Sequence, residues 1–371
     1  MNVLVIGGTR YFGKVIVRKL LARGDDVTIL SRGNARPDFW SDVNHILSDR
    51  SQHIEFTAKL RDREFDAVID NVAFTVEDAK AAVGALQGRT GKYLVASTVS
   101  VYGGIGHALQ WQTNDKHGQS RHLHEFVNLN DCCPLREDDL DLSEVNWDFD
   151  PNVNEYAQSK RQIERYLWET SSFPSVVLRV PITVGPEEHA LRFWWYMQRI
   201  LDEREIVLRD GGTNAFRLGF RDDISQAFID AMDSPNTTNQ IYNVCQDEVV
   251  TLRRFLEVMA EKLGRKANFV SIPGDAAETL SGLPWEDWRF DAFSRPHQYL
   301  MSIEKAKRDF RLHNTPMAEW VQQTIEWHEG HHDGRDSAFY DRRNEEVHFA
   351  QKWRQHYGQL IQNLKHQAGN E

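Results

Sequence analysis

The chain has 371 residues, 40% of them hydrophobic, and a formal net charge of -11. That is enough apolar material for a large core divided into two lobes, while the acidic balance opposes general affinity for a nucleic-acid backbone. No stretch approaches the ~20 apolar residues that cross a bilayer. Strand residues start at Asn2 or Val3, and three cysteines cannot build a disulfide framework, so a reduced cytoplasmic protein with no signal peptide is expected.

The opening Val3-Leu4-Val5-Ile6 is a short apolar run, followed by Gly7-Gly8-Thr9-Arg10-Tyr11-Phe12-Gly13 and an amphipathic stretch to Leu21 and Ala22. This predicts a buried parallel strand entering a helix. Glycines at that turn let the main chain approach a pyrophosphate, which the amides and dipole of the helix N-terminus stabilise. Asp26–Leu30 reads as a second strand, a third pattern ends at Asp49, and a strand over Asp66–Asp70 leads into Asn71-Val72-Ala73. Ser97-Thr98-Val99-Ser100-Val101-Tyr102-Gly103 follows. Tyr156 and Lys160 then stand four residues apart, on one face of a helix. An ammonium beside a phenol favours its ionised form, which makes Tyr156 a candidate acid/base.

These pieces, in this order, resemble the extended short-chain dehydrogenase/reductases, the NAD-dependent epimerase/dehydratase family. Leu178-Arg179-Val180-Pro181 and Arg221-Asp222-Asp223-Ile224 extend the resemblance to residue 325 or so. It implies an α/β Rossmann-type doubly wound parallel sheet with a smaller C-terminal substrate lobe. Residues 1–185 plus 217–245 would form the dinucleotide domain, with an insertion at about 104–150; 186–216 plus 246–330 would form the lobe, and 331–371 a helical extension. The resemblance also implies Tyr/Lys-assisted hydride transfer on a nucleotide-activated sugar or a related hydroxyl or keto compound. Thr98 would bond the reacting oxygen, Tyr156 would move its proton, and Lys160 would hold the nicotinamide ribose and keep the phenol acidic. Cofactor contacts would come from Gly7, Thr9, Arg10, Tyr11, Phe12, Gly13, Arg32, Asp49, Asn71, Val72, Ala73, Lys160 and Pro181. Substrate contacts would come from Thr98, Arg192 and Arg217.

Two departures narrow the reading. Arg10 replaces the family's middle glycine, and Leu30-Ser31-Arg32-Gly33 offers an arginine where an NAD-selective protein presents a carboxylate. Both arginines suit a ribose 2′-phosphate, placing NADP ahead of NAD. Val99-Ser100 stands where sugar dehydratases carry an acidic pair, so 4,6-dehydration is disfavoured. The glycine turn also resembles the chloroplast stem-loop RNA-binding branch of the superfamily; a non-catalytic RNA-binding or dinucleotide-sensing role is therefore the alternative, opposed by the retained Tyr156 and Lys160 and by the acidic charge.

The segment after Tyr102, with His107, Trp111, His117, His122 and His124, is either a lid or an idle loop. Phe193 to Met197 read as the apolar side of a core helix. Literal His-Glu-x-x-His at His328 to His332 contains Gly330 and sits at a predicted helix end, so no metal is expected. Trp353, Tyr357, Leu360, Ile361 and Leu364 predict an amphipathic terminal helix, packed on the lobe or on a second subunit of a homodimer.

Overall fold

The computed structural model describes residues 1–102, 134–148, 153–274, 300–337 and 340–368. His107, Trp111, His117, His122, His124 and the Cys132-Cys133 pair lie outside the described residues. The chain divides into two compact units, Met1–Thr183 with Arg217–Asp247 and Tyr299–Thr315, and Val184–Phe216 with Glu248–Gln298 and Pro316–Glu371.

In the first unit, β1 (Asn2–Ile6) enters α1 (Tyr11–Arg23), and β2 (Asp26–Ser31), β3 (Asn44–Leu47), α2 (His53–Leu60), β4 (Phe65–Asp70), α3 (Val76–Leu86), β5 (Thr90–Thr98), α4 (Glu155–Glu169) and β6 (Ser175–Val180) follow. The second unit begins with α5 (Arg192–Leu201) and β7 (Glu205–Arg209), before α6 (Arg221–Asp233) and β8 (Gln240–Asn243) return to the first. The seven strands lie in the order β8-β6-β5-β4-β1-β2-β3, all parallel. The strands are apolar on both faces because both faces are covered. Val3 and Val5 join a core cluster with Ile16, Val17 and Leu20 of α1 and Phe228 of α6. Leu4 and Ile6 join another with Phe56, Ala79 and Ile163 from α2, α3 and α4. Full burial of each large aliphatic side chain contributes about 1.5–3 kcal/mol. Strand order reverses between β1 and β4, opening a crevice beyond their carboxyl ends.

Helix α4 is positioned by Asn154, whose side chain accepts the Ala157 amide at 2.8 Å, and it buries Ala157, Lys160, Ile163, Glu164 and Leu167. One face thus carries both core residues and Lys160.

The second unit continues with α7 (Leu252–Leu263) and β9 (Asn268–Ile272), which pairs in parallel with β7. The chain then supplies α8 (Glu304–Phe310) to the first unit, and α9 (Met317–His331) and α10 (Arg343–Ala368) to the second. This corrects the expectation that 246–330 is one lobe: Met301, Ile303, Ala306, Phe310 and Leu312 are buried in the first unit's core. Their apolar spacing is satisfied there, with Phe310 edge-on to Tyr242 at 5.0 Å between ring centres. Residues 331–371 are likewise no separate extension. Arg343 and Glu346 of α10 are buried beneath α5, where Glu346 accepts from Arg199 at 3.1 Å and Arg343 pairs with Asp202 at 2.9 Å. Beyond Ala350 the same helix leaves Tyr357, Leu360 and Leu364 about half exposed.

The His328 to His332 run does lie at a helix end, although Gly330 is still helical: α9 closes at His331 with His332 as its cap. His328 is buried, its ring parallel to Phe193 at 5.8 Å, and burial pushes its pKa down to about 4. Among the described residues no group of three or more metal-ligating side chains comes together. Phe193, Trp195, Tyr196 and Met197 are buried on α5, while Trp194 stacks on His332 at 3.9 Å.

Candidate active site

Gly7 has φ +85°, and a Cβ there would lie 2.7 Å from Val72 Cγ1. A Cβ on Gly13 would meet the Gly7 carbonyl oxygen at 2.4 Å and the Asn71 amide nitrogen at 2.9 Å. Both positions require glycine, one for its backbone and the other for close approach. Arg10 caps α1 in extended conformation, and the first helical bond runs from Lys14 N to Arg10 O at 3.1 Å. The positive end of the helix dipole therefore opens at the turn.

A groove of about 530 Å³ starts here and reaches the ends of β2, β3 and β4. Gly7, Thr9, Arg10, Arg32, Asp49 and Val72 line it. Asp49 accepts the Ser51 hydroxyl at 2.8 Å and amide at 3.0 Å; these bonds chiefly, with Arg32 adding, hold its carboxyl below the usual range. Tyr11 and Phe12 do not line the groove. The Tyr11 hydroxyl donates to Thr183 O at 2.8 Å and the Phe12 ring stacks on Phe228 at 6.0 Å, so both side chains fasten α1 to its surroundings. Asn71 lies beneath the glycines with both side-chain polar atoms buried and without a protein partner.

Sequence reasoning missed the groove floor. Arg50 is 8% exposed, bonds Asp70 at 2.8 Å and the Asp78 carbonyl at 2.8 Å, and lines the groove beside His53 and Phe74. Tyr93 donates to the same Asp70 at 2.6 Å. Asp70 and Tyr93 come from two strands and Asp78 from a helix, so no local pattern reveals them; an arginine directly after Asp49 was the one available signal.

Thr98 closes β5, 7% exposed, with its Oγ1 accepting the Ser100 amide at 3.1 Å. Tyr156 is 46% exposed, yet desolvation of its hydroxyl raises the phenol pKa, with a hydrogen bond to Thr98 opposing. Lys160 is 2% exposed; its Nζ donates to Ala73 O at 2.6 Å and Ala96 O at 2.7 Å and lies 5.8 Å from the centre of the Tyr156 ring. Burial lowers its pKa to about 8. The three side chains lie together, but the expected acidification of Tyr156 by Lys160 is absent: the ammonium bonds two carbonyls, and the phenol is shifted upward by burial, opposed only by its bond to Thr98.

Ala73 contributes its carbonyl, not its side chain, and Pro181 accepts Thr183 Oγ1 at 3.1 Å. Arg217 donates to Met301 O at 2.7 Å in the first unit and lies against Cys245, a buried thiol raised to about 12. Arg192 belongs to the second unit, where it pairs with Glu188 at 2.8 Å.

A glycine turn at the switch point of a parallel sheet, a buried amide without partners and a Thr-Tyr-Lys group define a Rossmann-type dinucleotide-binding protein. The model of the NAD dependent epimerase/dehydratase family matches residues 3–245, and the chain belongs to that family. A curated relative, chloroplast stem-loop binding protein of 41 kDa b from Arabidopsis thaliana, is 22% identical over 320 residues, covering 82% of this chain and 73% of its own. A UDP-glucose 4-epimerase from Thermotoga maritima, solved with UDP-glucose, superposes with TM-score 0.65 at 16% identity, over 89% of this chain and 99% of that one. A UDP-glucuronic acid 4-epimerase from Bacillus cereus, in complex with NAD, gives 0.62 at 15% identity, over 91% and 99%. At such identity the structures speak for the fold.

Proposed function

We propose that the protein is an NADP-preferring epimerase or oxidoreductase acting on a nucleotide-activated sugar or related hydroxyl compound. The observation that carries this reading is the convergence of Thr98, Tyr156 and Lys160 beside the glycine turn. The residues fit a dinucleotide: Gly7 and Gly13 permit the tight turn that sets the N-terminus of α1, where a pyrophosphate is stabilised, and Asn71 has unmet hydrogen-bonding capacity beneath them. A nicotinamide ring, when bound, supplies the hydride chemistry. Thr98 would hold the substrate oxygen, and the Tyr156 hydroxyl would exchange a proton with it. Lys160 would orient the ribose. In its present setting the phenol is not acidified, so the added positive charge of an oxidised ring is what this reading requires for Tyr156 to act as a base.

NADP is favoured by Arg10 and Arg32 in the groove and by the lack of a carboxylate at the end of β2. Two neighbours whose names include NAD or a UDP-sugar support the general class, and Arg217 and Arg192 are the substrate candidates, each also holding a protein partner, Met301 O and Glu188. Dehydration is disfavoured by Val99-Ser100. An RNA-binding role, suggested by the Arabidopsis relative, is disfavoured by the intact Tyr156 and Lys160 and the net charge of -11. A homodimer through the half-exposed Tyr357, Leu360 and Leu364 is also proposed, to be checked by light scattering.

The test begins with thermal-shift screening of nucleotide sugars with NADPH and NADH. Tyr156→Phe should bind cofactor as the parent does and turn over no substrate; equal turnover in the variant removes the assignment. Tighter binding of NADH than NADPH would remove the cofactor preference.

A further inference from the structure

Lys160 stands where an ammonium is hard to keep. Its Nζ meets two backbone carbonyls and the faces of Phe74, at 5.1 Å, and Tyr156, at 5.8 Å, and none of these carries a negative charge. A buried amine in such contacts loses its proton unless charges farther out retain it. Two carboxylates with no exposed surface are placed to do so. Asp70 ends β4 three residues before Ala73, and Glu164 lies one turn along α4 from Lys160. Each is held by an arginine, Asp70 by Arg50 at 2.8 Å and Glu164 by Arg179 at 2.7 Å. Arg50 shares the same Nη2 with the Asp78 carbonyl at 2.8 Å, while Arg179 turns its other terminal nitrogen to the Tyr102 hydroxyl at 2.7 Å. Tyr93 donates to Asp70 at 2.6 Å and Ser97, the neighbour of Thr98, donates to Glu164.

We propose that Asp70 and Glu164 are positioning residues whose anchored carboxylates keep Lys160 protonated in a dry site. The inference rests on the reading of Lys160 as an active-site ammonium. The ionisable groups around it are Asp70 from β4, Arg50 after β3, Asp78 from α3, and Glu164 and Tyr156 from α4. Burial lowers the amine most; Asp70 and then Glu164 oppose it, Arg50 adds to the lowering, and Asp78 opposes it again, leaving a value of about 8. A carboxylate bonded to an arginine still acts on a third charge when the two ends do not cancel there, and at Lys160 Asp70 raises the amine more than Arg50 lowers it.

The test is a carbon NMR titration of the full-length protein with lysines labelled at Cε, the Lys160 signal being identified by its loss in Lys160→Arg. Its midpoint should lie near 8 in the parent and clearly lower in Asp70→Asn and in Glu164→Gln. Because Glu164→Gln leaves Arg179 buried without its partner, Glu164→Gln/Arg179→Met provides a version without that stranded charge, and its midpoint should fall likewise. A purely structural role for the two ion pairs would change stability and leave the midpoint where it was. Unchanged midpoints in folded variants overturn the proposal. A lowered midpoint in a protein that transfers no hydride supports it and removes the proposed function instead.

Discussion

Replacing Lys160 with methionine should abolish turnover and make the protein more stable at neutral pH. The buried amine has its pKa lowered from 10.5 to about 8, a difference of about 2.5 pH units. At 1.36 kcal/mol per unit, the charged amine costs the fold about 3 kcal/mol below pH 8. The sign follows from proton counts. Between about pH 8 and 10.5 the unfolded chain keeps the proton that the folded chain releases, so this group makes unfolding free energy rise with pH in that window. Methionine fills similar space without the charge, but leaves the Ala73 and Ala96 carbonyls without a donor, at about 1 kcal/mol each. The net gain at pH 7 is therefore about 1 kcal/mol. Urea unfolding of both proteins at pH 7 and near pH 10 measures it, with the parent gaining about 2 kcal/mol or more on the variant as pH rises. The same stability difference at both pH values would refute the reasoning.

Gly13→Ala should lower cofactor affinity at least tenfold, because its methyl would sit 2.4 Å from a backbone oxygen that cannot move alone, whereas Gly84→Ala in α3, with nothing within 4 Å, should stabilise by about 0.5–1 kcal/mol. Fluorescence titration with NADPH and thermal unfolding separate the two. Glu346→Ala should destabilise by roughly 3–5 kcal/mol, since it strands Arg199, a guanidinium without exposed surface, and takes from Arg343 one of its two carboxylate partners, Asp202 remaining. Truncation after Ala350 removes the largely exposed remainder of α10 together with the proposed dimer contact, so light scattering should show a monomer, while at protein concentrations low enough to dissociate the parent the midpoint of thermal unfolding should stay within a degree or two.

Helix α10 shows why a pattern can be legible and its use not. The spacing of its apolar residues identified a helix, but the part that is clamped was announced by Arg343 and Glu346, which read as ordinary surface charges. Their partners Arg199 and Asp202 lie more than 130 residues away, as the bonds themselves record. The return of residues 300–315 to the first core was hidden for the same reason: Met301, Ile303 and Phe310 signal burial but not in which unit.

By itself the sequence determined the strand, glycine turn and helix at the N-terminus and the shared helical face of Tyr156 and Lys160, because these depend on steric and periodic preferences of residues close along the chain. Only the tertiary structure decided the charge state of that pair. Depth below the surface, the carbonyls of Ala73 and Ala96, and the arginine-bound carboxylates of Asp70 and Glu164 set it, and all but Glu164 reach Lys160 from other parts of the chain. Burial and charge act through space, so a proton affinity is a property of the assembled neighbourhood and not of the helix that carries the side chain.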